Sequence, residues 1–410
     1  LQNQNFTTTT DNYNVAVGYN AGNDVTTGTF NTLLGGLAGD ALTTSSGNTA
    51  VGYAALSAAT TADLNTAIGF GALTTNILSD RNVALGYEAL SQHNTTTSND
   101  SYNTGLGYNA GRVVTTGTNN TFVGGLSGDA ITEGFQNTSL GSGSLTSDTL
   151  GSTAVAIGFN ALNSQNFTTA TNNYNVGVGY SAGSAITTGI RSALIGGLAG
   201  DALTEGGNNV ALGYASLGAD TLGSNSVAVG GGALGSQNFT TATDAYNVAV
   251  GHNAGISIST GIQNTIVGAL AGDALTDADF NVALGYQALT NDTLGSRSTA
   301  LGRSALNAQN FTTATEVYNV AVGYNAGLSV STGLQNTLIG SLAGDALTDA
   351  DFNVAVGLNA LTSDTLGSKS TALGHGALNS QNFTTATDTF NVAVGMRAGF
   401  NVTTGVQNTI

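Results

Sequence analysis

Along the chain an aliphatic residue stands directly before a glycine, with a second aliphatic or a threonine two positions earlier. The block recurs as Asn14-Val15-Ala16-Val17-Gly18, Asn31-Thr32-Leu33-Leu34-Gly35 and Asn48-Thr49-Ala50-Val51-Gly52. The spacing of Val15 and Val17 is that of a β-strand, in which alternate side chains share a face. Apolar residues do not recur at three and four, and glycine at this density would cost a helix about 1 kcal/mol at each position. The pattern predicts short strands.

The motif glycines run from Gly18 to Gly395 as 22 coils spaced 17 residues apart, with a 21-residue step after every third 17, which makes a super-repeat of 72. The first unit carries one extra 17-residue coil before Gly107. A fixed period of this kind is the mark of a stacked repeat architecture. The expected fold is an all-β parallel β-solenoid (β-roll) of about 22 stacked coils of 17 or 21 residues, one continuous array over residues 1–410. At about 4.8 Å per coil it would extend roughly 105 Å. Leu1 is not an initiator Met and Gln407-Asn408-Thr409-Ile410 stops short of a complete motif, so a fragment of a longer array is expected.

Each coil position has its own chemistry, as stacking of like on like requires. The residue before the glycine is always Val, Leu or Ile, and the one two before it is Val or Thr, with Ala193 as the exception. These two positions are expected to point into the coil. Four residues before the glycine stands Asn in 17 of the 22 coils, a candidate amide ladder. Three residues after it comes Ala or Ser, and the next position cycles Gly, Gly, Leu, Leu, as at Gly183, Gly200, Leu217 and Leu234. The remaining strand position, usually Ala (Ala50, Ala228) but Leu33, Phe122, Leu194, Ile266 or Leu338 in one coil of each unit, is expected to face outwards. Strands apolar on both faces are covered on both, so a partner is expected there, most simply another copy of the chain by self-association about a long axis, with a dimer or a lipid-like partner as the alternatives.

Composition narrows the function. With 59 Gly, no Pro, Cys or Trp, 8% charged residues and a net charge of −17, the chain would be repelled by nucleic acid and anionic lipid. Absence of cysteine excludes disulfides and thiolate metal sites. No apolar run reaches about eighteen residues, so no membrane insertion is expected.

Ser226-Val227-Ala228-Val229-Gly230 resembles the Asn-Ser-Val-Ala-Ile-Gly repeats of trimeric autotransporter adhesin heads. Asn48-Thr49-Ala50-Val51-Gly52-Tyr53 and Asn65-Thr66-Ala67-Ile68-Gly69-Phe70 are similar to the Asn-Thr-Ala-Val-Gly-Tyr repeats of phage tail fibres and related surface fibres that end in an intramolecular chaperone domain. The resemblance covers essentially the whole chain and implies a homotrimeric fibre shaft or adhesin body at a virion or cell surface. The coils here are longer than those of the adhesin heads, and neither a chaperone domain nor a membrane anchor is recognisable.

Candidate sites are few. The 21-residue coils carry an insert, Gln165-Asn166-Phe167-Thr168 and its repeats at Gln237, Gln309 and Gln381, expected to bulge with its Phe tucked back. The bulge is also a candidate display surface for a ligand or host glycan, and its Asn-Phe-Thr triplets read as glycosylation sequons. Asp40, Asp129, Asp201, Asp273 and Asp345 share one coil position, at least four coils apart, too far to share an ion, and read as a solvated acidic rim. His93, His252 and His375 read as surface substitutions. No nucleophile, base and orienting acid are gathered. No catalytic, cofactor-binding or metal-ligating residue is assigned, and an enzyme is not expected.

The expected role is the structural shaft of an extracellular or virion fibre or adhesin, holding a binding tip away from its anchor. A host-surface or glycan receptor would be engaged by parts outside this chain. The alternative is an ice-binding or other surface-binding solenoid, suggested by Thr26-Thr27, Thr115-Thr116 and Thr187-Thr188, although these pairs return only once per super-repeat.

Overall fold

The computed structural model describes residues 1–410, all strands and turns without a helix. It divides into two compact units, Leu1–Glu205 and Gly206–Ile410. Each is a parallel β-solenoid. The first unit stacks eleven three-residue strands, from Val15–Val17 to Ala193–Ile195, and the second stacks eleven more, from Val210–Leu212 to Val392–Val394.

Within each unit every strand pairs in parallel with the next, and equivalent residues lie side by side. Val15 meets Thr32 and Val17 meets Leu34; across a 21-residue coil Val155 meets Val176, so the insert leaves the register intact. The four extra residues are absorbed beside a second short pairing, such as Gly151–Ser152 with Thr171–Asn172 and Gly223–Ser224 with Thr243–Asp244.

Strands stop after three residues because the chain must turn to come round again. The turn uses left-handed backbone at fixed places: Tyr13 (φ 47), Asn20 (φ 54) and Gly22 (φ 58) frame the first coil, and Leu217 (φ 52) shows the same geometry with a large side chain. A residue with a Cβ costs about 1–2 kcal/mol there. Cross-coil hydrogen bonds hold them, as in Leu37 N–H to the Tyr19 carbonyl at 2.8 Å. At the motif glycine itself no side chain is possible. Gly230 has φ 131, and a Cβ there would sit 2.3 Å from the Gly251 carbonyl oxygen on the next coil.

The inside and outside of the strand are the reverse of the sequence expectation. The Ala position is fully buried, as at Ala50, Ala67, Ala84, Ala211 and Ala228, and so are Leu33, Phe122, Leu194, Ile266 and Leu338. The Val/Thr and Val/Leu/Ile positions point outwards, with Leu85 43% and Leu284 49% exposed. The reason is room. At the strand the coil closes so tightly that the inward position admits mostly alanine, so the larger aliphatic residues of the strand take the outer face.

Packing inside obeys a volume exchange between columns. Where the inward strand residue is large, the position four after the glycine is Gly: a Cβ on Gly128 would meet Phe122 at 2.2 Å, and one on Gly200 would meet Leu194 at 2.8 Å. The coil before it also carries Gly there, since a Cβ on Gly111 would meet Phe122 at 2.6 Å, and Leu appears only in coils whose inward strand residue is small. Such a Leu crowds the coil that follows, where a Cβ on Gly177 would meet Leu162 at 2.8 Å. The two Gly positions of the cycle therefore flank the large strand residue, and the two Leu positions fill the coils that lack one, keeping the interior at the density proteins require.

The expected Asn ladder is present, and most of its strength comes from the backbone. Asn48 N–H donates to Asn31 Oδ1 at 3.0 Å, and Asn48 Nδ2 donates to the Ala62 carbonyl at 2.9 Å. Direct amide-to-amide contact is longer, 3.2 Å from Asn48 Nδ2 to Asn31 Oδ1. Each buried amide thus satisfies both its own groups and a strand-end N–H.

Candidate functional surface

The outer face of the main sheet is the most distinctive surface of each unit. Its two strand columns hold Val, Thr, Leu, Ile and one Ala, and not one charged residue in 22 coils. Beside them runs a column just after the motif glycine, rich in Tyr and Phe. Tyr53, Phe70, Tyr87 and Tyr108 stack in succession with ring centroids 5.4, 5.3 and 5.5 Å apart. On the other border cations lie over rings, Arg297 over Phe280 at 4.6 Å and Lys369 over Phe390 at 5.3 Å. These cations also pair with carboxylates on the following coil, Arg297 with Glu316 at 3.0 Å and Lys369 with Asp388 at 2.5 Å.

At about 4.8 Å per coil and 3.3 Å per residue, the five residue positions from the Val/Thr column to the aromatic column cover roughly 870 Å² over the eleven coils of each unit. Exposed apolar patches on ordinary monomers rarely exceed a few hundred Å². The face has the scale of one partner's share in a standard protein interface, about 800 Å².

The bulges are built as expected at their centre. Phe167, Phe239 and Phe383 retain only 6% exposure, whereas Thr168, Thr240 and Thr384 beside them are exposed. Beneath each lies a pair not anticipated from the sequence, a buried aspartate joined to a buried glutamine on the next coil. Asp148 Oδ2 accepts from Gln165 Nε2 at 2.7 Å, and Asp148 Oδ1 accepts from the backbone N–H of Gly151 and of Phe167, both at 3.0 Å. Gln165 Oε1 accepts from Asn175 Nδ2 at 2.9 Å. The pairs Asp220–Gln237, Asp292–Gln309 and Asp364–Gln381 repeat the arrangement. Burial pushes the carboxyls of Asp148, Asp220 and Asp292 above the usual range, opposed by these hydrogen bonds. The signal was available: Asp and Gln recur seven residues after the motif glycine every 72 residues.

The acidic series is less solvated than a rim implies. Burial raises the pKa of Asp40, Asp129, Asp201 and Asp345. Thr290 and Thr362 donate to Asp273 and Asp345 from the next coil. No three His, Asp or Glu side chains gather as a metal site would need. Of the histidines, His252 and His375 are exposed, but His93 is fully buried, so it is not a surface substitution. It takes the coil position that Gln165 fills elsewhere, inside the coil.

Among the threonine pairs, the first member is tied to the neighbouring coil, as in Thr26 Oγ1 to the Thr43 carbonyl at 3.1 Å. A denser set of outward threonines lies in the strands, at Thr32, Thr49 and Thr66 and again at Thr104, Thr121 and Thr138. The surface recesses are shallow; one of about 390 Å³ is lined by Phe70, Thr74, Glu88 and Gln92, and one of about 160 Å³ by Phe280, Arg297 and Glu316. Neither a family model nor a curated protein matches the chain.

Proposed function

We propose that this chain is a non-enzymatic spacer, the shaft of an extracellular or virion fibre or adhesin, whose copies associate through the outer face of the main sheet into a homotrimer. The observation that carries the reading is the uncharged aliphatic face on a chain of net charge −17. Two such acidic chains can meet there without opposing like charges, and burying the face returns about 25 cal/mol per Å² of apolar surface. Another copy has the same coil rise and so stays in step with the first along a unit. Stability that sums over coils and their interfaces suits a spacer whose length varies by coil number, and the extra coil before Gly107 fits that use. The repeat's resemblance to tail-fibre and adhesin-head motifs points the same way. Receptor contact, with a host surface or glycan, falls to parts of the fibre beyond this chain.

Mass measurement of the native assembly tests the reading. Three chains are expected, and a monomer at micromolar concentration overturns it. A second reading is favoured by one observation, the outward Thr and Val columns of the strands, which would suit an ice-binding face. Thermal hysteresis by the purified chain would support that reading; its absence removes it.

A further inference from the structure

The first 21-residue coil departs from the others at the buried pair. Asn76 stands where Asp148, Asp220, Asp292 and Asp364 stand, and His93 stands where Gln165, Gln237, Gln309 and Gln381 stand. In the other coils the glutamine amide bridges the aspartate and the Asn of the ladder, as Gln309 does between Asp292 at 2.5 Å and Asn319 at 3.0 Å. Here the bridge is gone. Asn76 turns back on its own turn, donating to the Ser79 carbonyl at 2.9 Å and accepting the Ser79 N–H at 3.0 Å. Asn103 donates to the Gly117 carbonyl at 2.8 Å.

The imidazole of His93 is left fully buried with neither Nδ1 nor Nε2 hydrogen-bonded. As a neutral ring it serves as a filler. As an imidazolium it would carry two N–H donors and a charge in a closed interior. The charged side chains on its own and the two flanking coils are Asp80, Arg81, Glu88, Asp100 and Arg112, and none bonds to the ring. Only the Thr115 carbonyl favours the charged form, and that carbonyl already accepts the Asn94 N–H at 2.9 Å.

We propose that the coil carrying His93 is an acid-labile link in the first unit: protonation of the buried ring opens this coil reversibly while the Asp–Gln coils stay closed. Burial lowers the His93 pKa from 6.5 to about 4. The folded coil therefore binds the proton more weakly than the open one, and stability is full above about pH 6.5, falling as pH drops towards 4. The buried aspartates carry the opposite sign, since their raised pKa makes the closed coil take up the proton more readily than the open one. One chain thus holds two kinds of coil that answer acid in opposite directions.

Peptide-resolved hydrogen exchange on the intact chain tests this, with protection referred to the intrinsic rate at each pH. Residues 87–106 are expected to lose protection on the order of 100-fold between pH 7 and pH 4. Peptides around Gln165 and Gln237 should not follow. The double variant Asn76→Asp with His93→Gln, which rebuilds the pair, should abolish the loss, as should His93→Leu if the double variant folds poorly. Unchanged protection of the wild-type coil at pH 4 overturns the proposal, and so does an equal loss in all three proteins. A ring titration by ¹³C-histidine NMR is an independent check, with exposed His252 and His375 as controls in the same chain. An ordinary midpoint near 6.5 for His93 would sink it.

Discussion

Gln237 Nε2 donates a 2.6 Å hydrogen bond to Asp220 Oδ2 on the preceding coil, with both side chains fully buried. The same nitrogen reaches Ser226 Oγ at 3.0 Å, and Gln237 Oε1 receives Asn247 Nδ2 at 2.9 Å. Asp220 Oδ1 takes the backbone N–H of Gly223 at 3.0 Å and of Phe239 at 3.1 Å. One carboxylate therefore fixes both the turn before the bulge and the phenylalanine that plugs it.

Replacing Asp220 with Ala should strip acceptors from two buried N–H groups and from the Gln237 amide. At about 1–3 kcal/mol for each unsatisfied group, the local cost should exceed about 3 kcal/mol. Exchange or limited proteolysis at residues 236–244 would report it. A bulge as protected in the variant as in the wild type would show that Phe239 holds itself in place.

Gly230→Ala puts a methyl on a backbone of φ 131, where it collides with the Gly251 carbonyl at 2.3 Å. Thermal unfolding should show a loss of about 2 kcal/mol or more from the forced backbone shift. Gly125→Ala, which meets nothing within 4 Å, is the neutral control. Equal melting of the two variants would mean that neighbouring coils separate enough to admit the methyl.

Phe122 and Gly128 should behave as a coupled pair. Phe122→Ala opens a cavity worth about 3–5 kcal/mol. Gly128→Ala drives a methyl into the Phe122 ring at 2.2 Å. In the double variant that methyl has space, so the two losses should not add, and a double-mutant cycle should return a coupling of about 1 kcal/mol or more. Additive losses would mean the coil adjusts each column separately.

The repeat, the coil count and the parallel register were legible because like residues stack on like, which writes the geometry into spacing alone. The direction of the strand faces was not. Val15 and Val17 share a face by period two, but periodicity does not say whether that face lies inside, and hydrophobicity argued for the wrong answer. The decisive clue was size: the inward column accepts a large residue only where Gly replaces Leu four positions past the motif glycine, as with Phe122 and Gly128. His93 was misread for a related reason. Only alignment with Gln165, Gln237, Gln309 and Gln381 in the 21-residue coils shows that its position is interior.

Ala228 and Val229 are neighbours in one strand and should have opposite fates on substitution by Glu. Ala228 has no exposed surface, whereas the Val229 side chain points to the outer face. Ala228→Glu forces an unpaired carboxylate into an interior sized for a methyl, and an uncompensated buried charge costs about 3–5 kcal/mol before any clash. The coil should unfold locally, with lost exchange protection in residues 227–250. Val229→Glu adds a solvated charge, so the folded coil should lose less than about 1 kcal/mol. Its effect should fall on assembly instead, because copies meeting through this face would oppose carboxylates at the same height. Circular dichroism and native mass together resolve the two outcomes. An assembly that tolerates Val229→Glu at every concentration would remove this face from the contact between chains, even if the inward place of Ala228 stands.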